Sequence, residues 1–126
     1  MDKKIMCVDD EEDILIMLEE LFKTEGYKAQ GTTDCDEALK LIESERIPVV
    51  FTDLRMPVMD GMELCKRVKK FGFPTRVFAI SAYVDFYSLE QMVEAGFESH
   101  FPKPFNMEAV LAECRRAFEQ LEAEPG

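Results

Sequence analysis

The chain has 126 residues, enough for one domain that buries about two-thirds of its unfolded surface and too few for two separate cores. Apolar residues make up 47% and charged residues 33%, a balance that excludes a disordered polymer and a membrane-embedded protein. Fifteen Lys and Arg against 26 Asp and Glu leave a net charge of −11, which repels phosphate backbones and anionic lipid, so neither nucleic acid nor membrane is an expected partner. No apolar run approaches the roughly 20 residues a membrane span needs. Met1-Asp2-Lys3-Lys4 leads into only four apolar residues before Asp9, far short of a secretory leader. A cytoplasmic location is expected. Cys7, Cys35, Cys65 and Cys114 are scattered among apolar neighbours and read as reduced core thiols. The sole histidine, His100, is too little for a zinc centre.

Short β-type runs alternate with longer helical ones five times. Lys4 to Val8 is an apolar strand that stops at Asp9-Asp10. Ile14, Leu15, Met17, Leu18, Leu21 and Phe22 follow with helical spacing, and Gly26 marks a stop. A weak strand at 27–31 precedes a helix through Ala38, Leu41 and Ile42, with Asp34 and Glu37 as a capping pair. Residues 48–52 form the most apolar strand and end at Asp53. A loop from Leu54 to Asp60 leads into a helix with Leu64, Cys65, Val68 and Phe71 on one face. Residues 76–80 are a fourth strand, ended by Ser81-Ala82. Leu89, Met92, Val93 and Ala95 form the buried stripe of a fourth helix closed by Gly96. A short strand at 99–102 runs into Lys103-Pro104-Phe105, and Asn106 caps a last helix buried through Val110, Leu111, Cys114, Ala117, Phe118 and Leu121. Five strand–helix units of this length call for a parallel sheet with right-handed crossovers and helices on both faces. The expected fold is a doubly wound, three-layer α/β/α domain with five strands and five helices, over residues 1–122, with 123–126 as a tail.

In such sheets the ligand site lies beyond the carboxyl ends of the strands. Those ends carry Asp9-Asp10, Asp53, Ser81 and Lys103. Carboxylates gathered there repel unless a cation joins them, and oxygen ligands with no His or Cys nearby suit a hard ion such as Mg2+, with Mn2+ as an alternative. A calcium loop at Asp9–Asp13 fails, because the turn glycine and the distal Glu in register are missing. A metal, a hydroxyl and a lysine together cradle a phosphoryl group, and Asp53 is the carboxylate best placed to accept one.

Val8-Asp9-Asp10, Thr52-Asp53-Leu54-Arg55-Met56-Pro57-x-x-Asp60-Gly61, Ser81-Ala82 and Lys103-Pro104-Phe105 resemble the receiver domain of bacterial two-component response regulators (CheY-like). The resemblance covers essentially the whole chain. It implies strand order 2-1-3-4-5 and a phosphoprotein in signal transduction rather than an enzyme. It implies Asp53 as phosphoacceptor, Asp9, Asp10, Asp53 and the Arg55 backbone carbonyl as metal ligands, Ser81 as switch hydroxyl and Lys103 as the phosphate-pairing lysine after a cis bond to Pro104. His100 falls at the second switch position, where many receivers carry Tyr or Phe. Arg55 and Tyr83 flank the path of attacking water, so slow self-dephosphorylation is expected. The implied phosphodonor is a sensor histidine kinase or a phosphotransfer protein of a phosphorelay. The implied output is a partner protein or a separate output domain, read from the face of the fourth helix, fifth strand and fifth helix, with phosphorylation-dependent homodimerisation as one mode. Phe86, Tyr87, His100, Phe101 and Met107 are the expected docking residues. Stand-alone and excised receivers both fit a chain that stops five residues after Leu121. A haloacid-dehalogenase-type phosphatase needs an acid where Arg55 stands, and an FMN carrier needs a Ser/Thr/Gly-rich loop where Asp9–Asp13 stand. A pseudo-receiver that never accepts phosphate is disfavoured, because all the required groups are present.

Overall fold

The computed structural model describes residues 2–82 and 86–124. Strand β1 (Lys4–Val8) is followed by α1 (Glu12–Thr24), β2 (Lys28–Thr32), α2 (Cys35–Glu45), β3 (Val49–Thr52) and α3 (Gly61–Lys69). Then come β4 (Arg76–Ser81), α4 (Leu89–Ala95), β5 (Phe97–Pro102) and α5 (Met107–Ala123). All neighbouring strands are parallel, in the order β2-β1-β3-β4-β5. The expected doubly wound sheet is what the chain forms.

Period-two alternation along the strands builds two cores. Met6, Val8, Val50, Val77 and Ala79 face one side, against α2, α3 and α4. Ile5, Cys7, Val49, Phe51, Phe78 and Ile80 face the other, against α1 and α5. Strands covered on both faces explain why β3 and β4 are continuous apolar runs rather than alternating ones. On the second side the Phe22, Phe51 and Phe78 rings follow one another at 5.0 and 4.8 Å between centroids. Tyr27 stacks on Phe118 at 5.2 Å. Each ring buries a large apolar area, and the pairs add about 0.5–1.5 kcal/mol beyond burial.

Local chemistry fixes the helix ends. The Asp34 carboxylate accepts the Asp36 and Glu37 N–H groups at 2.9 and 3.2 Å, and Asn106 accepts the Ala109 N–H at 3.0 Å. Ser88 and Gln91 exchange side-chain and backbone bonds in a capping box. Gly96 ends α4 at φ 110°, a left-handed conformation that residues with a Cβ avoid.

The structure departs from expectation at particular places. Met17 in α1 is half-exposed, and Leu89 and Val93 of α4 are 65% and 70% exposed, so only Met92 and Ala95 of the expected stripe are buried. Phe101, expected on a docking surface, is instead a core residue beside Phe51 and Phe78, at 6.4 and 6.3 Å. β5 begins two residues early, at Phe97, with an irregular register where Val77 pairs Phe97 and Phe78 pairs Ser99. Helix α5 continues through Ala123, and Glu124 pairs with Arg76, which also holds Glu98 at 3.2 Å. Tyr83 and residues 125–126 of the expected tail lie outside the described residues.

Candidate functional site

Register alone brings the chemistry together. β1 pairs with β3 so that Val8 lies opposite Thr52, and the Asp53 N–H continues the ladder by donating to the Val8 carbonyl at 2.9 Å. Asp9 and Asp53 therefore leave adjacent strands at the same height. β4 follows β3 and ends at Ser81, whose carbonyl accepts the Lys103 N–H at 3.2 Å from the end of β5. Four neighbouring strands thus deliver Asp9, Asp53, Ser81 and Lys103 to one edge.

Asp9 and Asp53 are 2% and 4% exposed, and Asp10 beside them is open to solvent. One carboxylate oxygen from each of Asp9, Asp10 and Asp53 lies within 4.8 Å of the others. The Lys103 ammonium reaches Asp9 Oδ2 at 2.8 Å, Asp53 Oδ2 at 3.0 Å and Glu11 Oε1 at 3.7 Å. The opposite oxygens are held by the backbone. Asp9 Oδ1 accepts the Glu11 N–H at 2.9 Å, and Asp53 Oδ1 accepts the Leu54 N–H at 2.6 Å and the Arg55 N–H at 3.4 Å. Both carboxylates are thereby fixed in rotation as well as in place. The Lys103-Pro104 bond is cis. A cleft beside Asp53 is lined by Asp10, Glu11, Asp53, Arg55, Met56 and Pro57.

Burial pushes the Asp9 carboxyl up to about 6, with the Lys103 hydrogen bond and the Glu11 N–H acting in the opposite sense. Burial works against the Lys103 charge, but the hydrogen bonds to Asp9 and Asp53 hold its ammonium above the ordinary range. The cluster is thus rich in negative charge, with one ammonium already serving part of it. Three carboxylates without a nitrogen or sulfur donor suit a hard divalent ion, and the open side at Asp10 leaves room for its waters.

Of the remaining expected residues, Ser81 is fully buried, and His100 is half-buried in β5 opposite Ala79. Arg55 lines the cleft with its guanidinium over the Phe86 ring. Three participants were missed. Glu11 shares Lys103. Thr52 Oγ1 donates to the Asp53 carbonyl at 2.9 Å. Gly61 packs so closely that a Cβ would stand 2.0 Å from the Asp53 carbonyl oxygen. Of the three, Gly61 left a visible signal, as the last residue of the motif that follows Asp53, but its close approach to the backbone was not foreseen.

Comparisons with known proteins bear on the chain as a whole. The family model described as the response regulator receiver domain matches residues 5–115. Sporulation initiation phosphotransferase F of Bacillus subtilis is 36% identical over 110 residues, covering 87% of this chain and 89% of the relative. The Bacillus subtilis alkaline phosphatase synthesis transcriptional regulatory protein PhoP is 30% identical over 122 residues, covering 97% of this chain but 51% of PhoP. The chain likewise spans about half the length of the mycobacterial response regulator MprA sequences. A CheY-like response regulator receiver domain protein from Methanospirillum hungatei superposes with a TM-score of 0.87 at 26% identity, covering 98% of this chain and 100% of that one. The BeF3-activated receiver domain of DrrB gives 0.83 at 29%, with 94% and 99% covered.

Proposed function

Since the chain belongs to the response regulator receiver domain family, a family of signalling phosphoacceptors rather than ordinary enzymes, we propose that Asp53 is the residue that takes up the phosphoryl group. The observation that carries this reading is the Asp9–Asp10–Asp53 cluster with Lys103 spanning Asp9 and Asp53. Asp9, Asp10, Asp53 and the Arg55 carbonyl are the proposed ligands of Mg2+. Once bound, Mg2+ supplies positive charge against the oxygens of the transferring phosphoryl group.

The residues do the rest. A carboxylate oxygen of Asp53 forms the new bond to phosphorus as the donor's bond to phosphorus breaks and its electron pair leaves with the donor. Leu54 N–H, Arg55 N–H and Lys103 hold that carboxylate against rotation, so little reorganisation remains for the reaction itself. Lys103 then exchanges its carboxylate partner for a phosphoryl oxygen, a charge-assisted bond of similar reach. Intact mass after incubation with acetyl phosphate and Mg2+ tests the assignment. The wild type should gain one phosphoryl group and Asp53→Asn none, whereas a labelled Asp53→Asn protein would place the acceptor elsewhere.

A phosphate matters only if it biases two conformations differently. The proposed reporter is Ser81, drawn toward the phosphoryl oxygens and pulling the segment after β4. The face it would reshape carries Phe86, Leu89, Val93 and Met107, all more than half exposed, which suits a docking surface for a partner protein or output domain. His100 is the proposed second switch position, its half-buried ring turning inward as Ser81 moves. NMR of that ring with and without a beryllofluoride mimic should show a change of environment; an unchanged ring rejects the role. The proposed donor is a sensor histidine kinase or a phosphotransfer protein, and phosphorylation-dependent pairing of two copies is one proposed mode of output. Among the described residues no helix is long and apolar enough to cross a membrane, and a cytoplasmic location is proposed.

A further inference from the structure

Thr52 is the polar exception in β3: Val49, Val50 and Phe51 before it are apolar, and all four residues are buried. Its register partners, Val8 in β1 and Ala79 in β4, are apolar too. A Val of nearly the same shape would fill this position, and a buried hydroxyl costs free energy unless it is hydrogen-bonded. The hydroxyl is bonded, but not to a neighbouring strand. Its Oγ1 donates to the Asp53 carbonyl at 2.9 Å. That carbonyl and the Leu54 N–H belong to one planar peptide unit, so holding the oxygen also aims the N–H. The Leu54 N–H donates to Asp53 Oδ1 at 2.6 Å. Gly61 crowds the same carbonyl, since a Cβ there would stand 2.0 Å from the oxygen. Crowding limits how far the peptide can travel, whereas the hydrogen bond sets the direction in which it points.

We propose that Thr52 is a positioning residue for phosphoryl uptake: its hydroxyl holds the Asp53–Leu54 peptide in the orientation that aims the Leu54 N–H at the acceptor carboxylate. This rests on Asp53 being the acceptor. With acetyl phosphate as donor, an Asp53 oxygen forms a bond to phosphorus as the bond from phosphorus to the acetate oxygen breaks. Acetate leaves with the electron pair. The rotation of the carboxylate decides whether its oxygen points at phosphorus. Lys103 steadies Oδ2, and the Leu54 N–H steadies Oδ1 with the longer Arg55 bond beside it. A peptide free to turn would loosen that hold on Oδ1. Asp53 would then spend less time in the reactive orientation, and transfer would slow. Thr52 itself is 1% exposed, so it acts through the peptide rather than on the donor.

The experiment compares two pairs that differ in the hydroxyl: wild type with Thr52→Val, and Thr52→Ser with Thr52→Ala. Labelling by acetyl phosphate is followed at saturating Mg2+, and the Leu54 amide proton is followed by NMR in the metal-free protein. Loss of one neutral hydrogen bond corresponds to about three- to tenfold slower labelling. Thr52→Val and Thr52→Ala should each show that loss in the maximal rate, with the half-saturating acetyl phosphate concentration unchanged. Thr52→Ser, which keeps the donor, should label at close to the wild-type rate. The Leu54 proton should move upfield in Thr52→Val and Thr52→Ala, as its bond to the carboxylate weakens, and stay in place in Thr52→Ser. An unchanged maximal rate in Thr52→Val and Thr52→Ala overturns the proposal. So does an unmoved Leu54 proton, or a Thr52→Ser protein as slow as Thr52→Ala, because either makes the effect one of packing. Should Thr52→Val fail to fold, the Ser–Ala pair decides alone. If wild type takes up no phosphate on Asp53, the acceptor assignment itself fails, as the mass comparison with Asp53→Asn reports, and the Leu54 proton still reads the hold of Thr52 on the peptide.

Discussion

Gly61→Ala should cost about 3 kcal/mol of stability, at the upper end of typical overpacking penalties, and should slow phosphorylation sharply. The added methyl carbon would stand 2.0 Å from the Asp53 carbonyl oxygen, 2.9 Å from its carbonyl carbon and 3.0 Å from the Leu54 Cα. All three are backbone atoms, so no side-chain rotation relieves the clash. The Gly61 N–H also donates to the Leu54 carbonyl at 2.8 Å, which ties the start of α3 to the acceptor segment. Relief must come from moving the Asp53–Leu54 peptide, and that peptide's N–H orients the acceptor carboxylate. Urea unfolding measures the first effect and the rate of labelling by acetyl phosphate the second. A Gly61→Ala protein as stable and as fast as wild type would show that the loop has slack the packing does not reveal.

Lys103→Met should cost about 3 kcal/mol near pH 7 without metal, because removing one partner of a buried ion pair strands the others. Here it strands two carboxylates, Asp9 and Asp53, that are almost fully buried. The loss should depend on pH in a definite sense. The folded Asp9 holds its proton up to about 6, above its ordinary value of 3.8, so the folded state binds the proton more tightly than the unfolded one. Its contribution to stability is therefore full below about pH 4 and is lost as pH rises toward 6. Removing Lys103 takes away its hydrogen bond and charge, which oppose this rise, leaves only the Glu11 N–H against it, and extends the loss to higher pH. The variant should be closer to wild type at pH 5 than at pH 7.5, and Mg2+ should recover stability at pH 7.5 more in the variant than in wild type. Urea unfolding at the two pH values, with and without Mg2+, checks both. A penalty equal at both pH values would mean that Lys103 contributes packing rather than charge.

The strands were legible because burial on both sheet faces leaves an unmistakable trace: Val49 to Thr52 and Val77 to Ile80 admit few other readings. Strand ends then located the acidic site, since Asp9, Asp53, Ser81 and Lys103 stand where the strands' runs of apolar residues stop. Periodicity misjudged α4 because a seven-residue helix offers too few apolar positions to define an angle; Leu89 and Val93 look like a core stripe but face outward. Phe101 was misplaced for the converse reason. It lies between half-buried His100 and exposed Pro102, and only the sheet's pleat reveals that its ring turns inward. The role of Gly61 depends on a backbone approach, and the Arg55–Phe86 stack on contact between loops 31 positions apart. Neither distance is written in local sequence.

The four cysteine sulfurs are sealed inside the fold, and burial pushes Cys65 and Cys114 up to about 12 and raises Cys7 and Cys35 as well, so thiolate is scarce at neutral pH. Maleimide dyes therefore have little native target, and a reporter cysteine introduced at exposed Leu89 or Val93 can be labelled in the otherwise unaltered chain. Fluorescence from that position offers a direct view of α4 without first stripping sulfur from the interior.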